Sequence, residues 1–489
     1  MSSRWSGGSS AQNMTPSAFR DAPAAATRSV VHLRFDGGTI VLDDPPAELD
    51  PSSLPGALWD GRVRAFRTPA YRYSELTARL RKLGVRHRDE VFSPLARDLG
   101  REARPPRLRP YQEEALRAWN GAGRRGIVVL PTGAGKTRVA LASIVRTGVP
   151  TLCMVPTRVL LDQWCEQIAR VFPGPVGCLG DGRHELQPLT VATFESAYRH
   201  MPRLGNRFGL VVVDEAHHFG CGGRDEALEM STALYRLGLT ATPPTDEVAI
   251  SRLARLVGRT VFELVIDDLT GRFLAQYDTV TLHLDLSPQE RTAYERLMAS
   301  FRSVRGRLGR TMPGATWAEL AAAAARSDEG RRAFQSFREA SRLVAFTEAK
   351  RRALRDLLAR HRDRRILIFT ADNDAAYHVA REHLVMPLTC DISRAERAEA
   401  ITRFQAGELR ALVSARVLNE GIDVPAADLA IIVGSSLGTR EHVQRVGRLL
   451  RPAPDKRALV IQMVTRGTLE VPQAKRKRAA LTARSSALT

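Results

Sequence analysis

The residues best equipped for chemistry in this 489-residue chain fall in two short clusters. In the first, Leu130-Pro131-Thr132-Gly133-Ala134-Gly135-Lys136-Thr137, the glycines let the backbone turn with its N–H groups facing inward. A helix starting there adds partial positive charge at its N-terminus, so the turn can cradle phosphate. Thr132, Gly133, Ala134 and Gly135 would line the cradle, Lys136 would reach the β- and γ-phosphates, and the Thr137 hydroxyl would bind Mg²⁺. The general phosphate-loop pattern has a glycine where this chain has Leu130, so the match rests on the last four positions and their context. In the second cluster, Asp214-Glu215-Ala216-His217-His218, two carboxylates end an apolar run. Asp214 is suited to hold hydrated Mg²⁺, and Glu215 to orient and deprotonate an attacking water. The histidines lack the His-Glu-x-x-His spacing of a helical zinc site.

Both clusters need a strand to deliver them. Gly126-Ile127-Val128-Val129-Leu130 has the length and β-branched content of a buried strand, and Arg138 to Arg146 carries apolar residues at helical spacing. Leu210-Val211-Val212-Val213 reads as a second fully apolar strand ending at Asp214. Thr151 to Val155 is a further strand, followed by Thr157 and Arg158, and Val191-Ala192-Thr193-Phe194 ends another. Hydroxyl and basic groups at such strand ends lie on the ligand-bearing edge of a parallel sheet, where they could hold a nucleic-acid backbone. Thr193 fits a plain helix cap nearly as well. Upstream, Leu108-Arg109-Pro110-Tyr111-Gln112 opens a helix running through Trp119. Gln112 is placed either to read adenine through its amide or to stand as an ordinary surface glutamine.

The net charge is +20, from six lysines and 67 arginines against 53 acids. A polyanionic partner accounts for that excess, and binding to phosphate backbones would be salt-sensitive. Lys136 keeps a compact ammonium in an arginine-rich background. The cysteines, Cys153, Cys165, Cys178, Cys221 and Cys390, form no Cys-x-x-Cys pair, which speaks against a zinc ribbon or a disulfide framework. No apolar stretch reaches membrane-spanning length, and the N-terminal residues lack a signal-peptide apolar region. A cytoplasmic, intracellular and nucleoid-associated protein with no membrane partner is expected.

Composition divides the chain. Residues 1–28 are rich in Ser, Ala and Gly and read as a disordered leader. In 29–103, Val31, Leu33 and Phe35 alternate with polar residues before an Asp36-Gly37-Gly38 turn, a hairpin signal opening a small α/β domain. After the proline-rich linker at 104–107, the first strand–helix domain spans 107–285. Residues 286–345 are helical by period, start at a Ser287-Pro288-Gln289-Glu290 cap, and present Arg302, Arg305, Arg307 and Arg310 to phosphate. A second βα repeat follows over 346–468, with strands at Ile366–Phe369, Ala411–Ser414, Leu429–Val433 and Ala458–Val464, and 469–489 reads as a basic tail. The fold class is α/β.

Taken in order, the clusters resemble the motifs of superfamily 2 helicases and translocases of the DEAH-box type. Besides 131–137 and Asp214-Glu215-Ala216-His217, Gly238-Leu239-Thr240-Ala241-Thr242-Pro243 resembles the motif linking the two motor domains. Ile366 to Thr370 resembles the first strand of the second domain. Asn419-Glu420-Gly421-Ile422-Asp423-Val424-Pro425 and Gln444-Arg445-Val446-Gly447-Arg448-Leu449-Leu450-Arg451 resemble the fifth and sixth motifs. Within the superfamily the chain is most similar to XPB-type (xeroderma pigmentosum group B) DNA helicases, through His218, the form of the sixth motif and the domain from Val30 to about Gly100. The family's Arg-Glu-Asp tripeptide is absent; Arg224-Asp225-Glu226 has the composition in another order. The resemblance implies two tandem RecA-like motor domains, a damage-recognition-like N-terminal domain and a helical thumb at 286–345. It implies a DNA-dependent ATPase acting as translocase or 3′-to-5′ helicase in DNA repair, with ATP and Mg²⁺ as cofactors, DNA as partner and a nuclease as a further partner. An RNA helicase, the motor of a restriction or defence complex, and a DNA-damage-binding clamp are the alternatives. Gly421 and Asp423 would join the ATP site, His217, Thr240 and Thr242 would couple it to nucleic acid, and Gln444, Arg448 and Arg451, on one face of a helix, would reach ATP across the cleft.

Overall fold

The computed structural model describes residues 30–46, 49–95, 103–269, 276–389, 391–415, 427–434 and 457–482. The leader 1–28, Gly421, Asp423, Gln444, Arg448 and Arg451 therefore lie outside the described residues.

The N-terminal domain comprises β1 (Val31–Asp36), β2 (Thr39–Asp43), β3 (Leu58–Asp60), β4 (Ala65–Pro69), α1 (Tyr73–Lys82) and β5 (His87–Glu90). Gly37 and Gly38 take φ +57° and +84°, as the two-residue turn joining β1 to β2 requires, and the sheet runs β3-β4-β2-β1-β5. Alternation along β1 sends Val31 and Leu33 into a core shared with Ile40, Leu42, Leu76 and Leu80.

The first strand–helix domain follows: α2 (Pro110–Gly121), β6 (Arg125–Val129), α3 (Lys136–Thr147), β7 (Thr151–Val155), α4 (Arg158–Ala169), β8 (Gly177–Gly180), β9 (Arg183–Glu185), β10 (Leu189–Thr193), α5 (Phe194–Leu204), β11 (Leu210–Asp214), α6 (Glu226–Glu229), β12 (Tyr235–Thr240), α7 (Glu247–Leu256), β13 (Thr260–Glu263) and α8 (Ile266–Leu269). Its sheet runs β13-β6-β12-β11-β7-β10-β8-β9, parallel except for the β8–β9 pair. The apolar strands are buried on both faces: Leu210 and Val212 join one core beneath α2, α3 and α4, while Val211 and Val213 join another with Phe194, Met201 and Leu253.

The second sheet contains β14 (Gln276–Leu284), and after it come α9 (Pro288–Thr311), α10 (Trp317–Ala324), α11 (Asp328–Ala345), α12 (Glu348–Arg360), β15 (Ile366–Phe369), α13 (Asn373–His383), β16 (Met386–Leu388), α14 (Arg394–Ala406), β17 (Ala411–Ser414), β18 (Leu429–Ile432), β19 (Arg457–Thr465) and α15 (Glu470–Thr482). The strand order is β14-β19-β18-β15-β17-β16, all parallel. Two boundaries expected from sequence change. Residues 276–284 belong to this second sheet, paired with β19 from Gln276↔Arg457 to Leu284↔Thr465, so the second domain starts before the thumb-like insertion. The expected tail at 469–489 begins instead as helix α15, whose Glu470 and Lys477 are buried.

The insertion is the antiparallel pair α9 and α11 with α10 at its far end, packed around Phe301, Phe334, Phe337 and Trp317. Ser287 and Glu290 form the expected capping box. Of the arginines expected on phosphate, Arg307 pairs with Glu329, while Arg302, Arg305 and Arg310 are exposed.

Candidate active site

The phosphate cradle forms where β6 ends. Gly133 and Gly135 sit at φ +85° and +80°, and Gly135 is the N-cap of α3, so Lys136 and Thr137 open the helix. Lys136 Nζ makes a long contact of 3.4 Å to the Leu130 carbonyl. Beneath the turn, the Ala134 carbonyl accepts from Tyr111 Oη at 2.9 Å and Gln112 Nε2 at 2.7 Å. The Gln112 amide oxygen accepts from Arg109 N at 2.9 Å, and the residue is 1% exposed. Gln112 therefore braces the loop against α2 with both ends of its amide. A Cβ at Gly135 would meet Gln112 Nε2 at 2.5 Å, which fixes glycine there.

Consecutive residues on a strand point to opposite faces, so two adjacent carboxylates can act together only where the strand ends. Here Glu215 takes a left-handed φ of +49° immediately after β11. Asp214 is buried; its Oδ2 accepts from Trp164 Nε1 at 2.9 Å and its Oδ1 from Glu215 N at 3.0 Å. Burial, then the neighbouring Glu215 charge, pushes the Asp214 carboxyl up, partly offset by Lys136. Burial would also raise Glu215, but Lys136 and the His217 contact together outweigh it and hold Glu215 below the ordinary carboxylate range. Glu215 Oε2 is buried without a hydrogen-bond partner.

β12 lies between β6 and β11 in the sheet, and its last residue ties the two clusters together. The Thr240 carbonyl accepts from Leu130 N at 3.0 Å. Thr240 Oγ1 donates its single proton to the Thr242 carbonyl and accepts from Thr242 N, so His217 Nδ1, 3.0 Å away, must be the donor to it. The same Nδ1 stands 3.4 Å from Glu215 Oε2.

Thr157 and Thr193, expected on a nucleic-acid backbone, cap helices: Thr157 Oγ1 accepts from Leu160 N, and Thr193 Oγ1 from Ser196 N. Arg158 is paired with Asp181 at 2.9 Å. Asp225, from the reordered tripeptide, holds its own loop by accepting from Gly220 N and Gly222 N and pairing with Arg252. In the sequence Trp164 stands only among the apolar positions of a helix with Leu160 and Leu161; nothing marks its N–H as the partner of Asp214.

The residues present fit a nucleoside triphosphate with Mg²⁺. Thr132 Oγ1, Glu215 Oε2 and Thr242 Oγ1 are buried polar atoms without a hydrogen-bond partner, and the left-handed glycines shape a turn that side chains could not enter without strain.

Three family models match along the chain: the xeroderma pigmentosum group B helicase damage recognition domain over residues 33–91, the type III restriction enzyme res subunit over 106–245, and the helicase conserved C-terminal domain over 349–453. The DNA 3′-5′ translocase XPB2 of Sulfurisphaera tokodaii is 34% identical over 92% of this chain and 100% of its own. The chain belongs to the XPB family. The DNA 3′-5′ helicase XPB of Kineococcus radiotolerans is 29% identical over 71% of this chain and 58% of that longer protein. Among solved structures, the Pyrococcus furiosus Hef helicase domain superposes with a TM-score of 0.49 over 76% of this chain and 98% of that one, at 18% identity.

Proposed function

We propose that this chain is an ATP-dependent motor that translocates along DNA, or unwinds it 3′ to 5′, in DNA repair. The observation that carries the reading is Glu215, a half-buried carboxylate under the influence of Lys136, whose buried Oε2 lacks a hydrogen bond, beside Asp214. ATP is the substrate, its phosphates lying in the turn from Thr132 to Thr137 with Lys136 as counter-charge. Mg²⁺, held by Thr137 and Asp214, supplies neutralisation of phosphate charge. Glu215 takes the proton of the attacking water and is ionised to do so at neutral pH. His217 leaning between Glu215 and Thr240 couples the base to the 240–243 segment. Gly421, Asp423, Gln444, Arg448 and Arg451 complete the site from the second domain; a transition-state arginine is worth about 10³ to 10⁵ in turnover.

DNA lies along the edge of the sheets where Arg158 and the α4 and α5 N-termini stand, and the charge of +20 makes its binding salt-sensitive. With the hydroxyls of Thr157 and Thr193 committed to caps, backbone contact there falls to main-chain N–H groups and Arg158. Any strand cleavage falls to a partner nuclease, and nucleoid association follows from DNA binding. A second reading, the motor of a restriction or defence complex, is favoured by the res-subunit match over 106–245. Displacement of a labelled third strand from duplex DNA tests the first: the purified chain alone releases it with ATP, whereas a complex motor stays inert until its nuclease partner is added.

A further inference from the structure

Helix α4 is held from two sides. Its buried side carries Leu161, Trp164 and Ile168, at helical spacing, into the core of the first strand–helix domain. Its outer side is tied by two ion pairs to the β8–β9 hairpin: Arg158 to Asp181 at 2.9 Å, and Asp162 to Arg183. The Gly180-Asp181-Gly182 turn of that hairpin takes φ of +140°, +53° and +78°, which sets the Asp181 carboxylate beside the first residue of the helix. Arg158 is 71% exposed in this pair, and a surface ion pair is weak enough for a phosphate to compete for the guanidinium.

About 9 Å further along the helix, the indole of Trp164 reaches the paired carboxylates. The residue is 1% exposed, and its ring nitrogen, a donor with no acceptor capacity, gives its single proton to Asp214 Oδ2 at 2.9 Å. The other oxygen, Oδ1, accepts from Glu215 N at 3.0 Å. Donors on both oxygens fix the plane of the carboxylate and leave a further lone pair on each for Mg²⁺ or its bound water. If Asp214 rotates, the indole N–H is left buried and unpaired; if α4 shifts, Asp214 loses its brace. Packing in the core needs only the ring, whereas the N–H joins helix to carboxylate.

We infer that Trp164 is a positioning residue for Asp214, and that α4 carries DNA occupancy at Arg158 to that Mg²⁺ ligand. The inference rests on the motor reading above and adds to it the route by which DNA acts on the metal site. Phosphate that draws Arg158 from Asp181 moves the start of α4, and the hydrogen bond from Trp164 makes Asp214 follow.

The test titrates a fluorescent, non-hydrolysable ATP analogue into the full chain in EDTA and over a range of Mg²⁺, with and without a matched DNA duplex. In wild type Mg²⁺ should tighten binding, and duplex should lower the Mg²⁺ concentration needed. Trp164→Phe should bind the analogue normally in EDTA, need about 10- to 100-fold more Mg²⁺ for the same tightening, and lose the effect of duplex on that requirement. Saturating Mg²⁺ should restore its affinity, which damage to the core would not allow. If Trp164→Phe does not fold, β-(3-benzothienyl)alanine at position 164 keeps the bicyclic shape without the N–H and carries the same test. An unaltered Mg²⁺ requirement in the variant overturns the positioning role. An equal Mg²⁺ requirement in wild type with and without duplex overturns the link to DNA. Wild type that neither binds the analogue nor hydrolyses ATP faster with duplex removes the motor reading instead.

Discussion

At the scale of single residues, the left-handed backbone at Glu215 turns the end of a strand into a paired-carboxylate site, and the cation of Lys136 acts on both carboxylates. Glu215→Gln keeps the shape and removes the base, so turnover should fall by about 10² to 10⁴ while ATP binding persists, read by fluorescent-nucleotide titration beside phosphate release. Asp214 gives a pH-dependent stability effect. Its folded carboxyl is raised toward about 6, so the ionised form opposes folding above that pH, and the penalty is absent below the unfolded value near 4. Asp214→Asn can still accept from Trp164. Without Mg²⁺ it should melt above wild type at about pH 7.5, with the gap closing towards about pH 4; equal melting at both would show that the carboxylate carries no burial penalty. The chemistry-bearing types at 131–137 and 214–215 were legible from sequence because few other arrangements use them. The roles of Gln112 and Trp164 were not, since an amide bracing a carbonyl and an indole donating to a carboxylate depend on which helix lands over which strand.

At the scale of elements, strands buried on both faces announced themselves as unbroken apolar runs, which is why β6, β7, β11 and β15 stood where the sequence put them. β14 did not, because Gln276-Tyr277-Asp278-Thr279-Val280 is the edge strand of its sheet and mixes polar with apolar residues. α15 was hidden by its Lys475-Arg476-Lys477-Arg478 run, and its anchor is a pair of residues 120 apart in sequence: Lys350 Nζ donates to both oxygens of Glu470 at 2.7 and 2.8 Å, and to the Val344 carbonyl at 2.8 Å. This buckle joins α11, α12, β19 and α15 at the root of the helical insertion, where Glu470 also accepts from Thr465 N. Lys350→Met strands a buried carboxylate and should lower stability by about 3–5 kcal/mol in denaturant melts, while Lys350→Met with Glu470→Gln should recover part of it. The helix caps make a contrasting case. Thr157→Ala and Thr193→Ala should each cost about 1 kcal/mol of stability, whereas purely nucleic-acid roles would leave the melts unchanged.

At the scale of the whole molecule, the N-terminal domain is fastened to the first motor rather than tethered beside it. Ser93 N donates to the Asn206 carbonyl and Leu95 N to that of Arg207, Asn206 Nδ2 donates to the Val91 carbonyl, and Tyr71 is buried in a core with Phe208 and Val211. A chain starting near Arg104 would uncover that core, so it should melt well below the intact protein or precipitate; an unchanged melt would mean that the contact contributes little. The three-part order was legible from the changes of periodicity along the chain, but not this docking, because the contacts join residues more than a hundred positions apart and are mostly to main-chain atoms. The claim that all these parts serve one DNA-driven ATPase is tested most directly by steady-state phosphate release from the full chain with no nucleic acid, duplex DNA, single-stranded DNA and RNA, repeated with Glu215→Gln. Hydrolysis that rises with DNA, rises little with RNA and collapses in Glu215→Gln is the predicted result. Turnover indifferent to DNA, or nearly normal in Glu215→Gln, would contradict it.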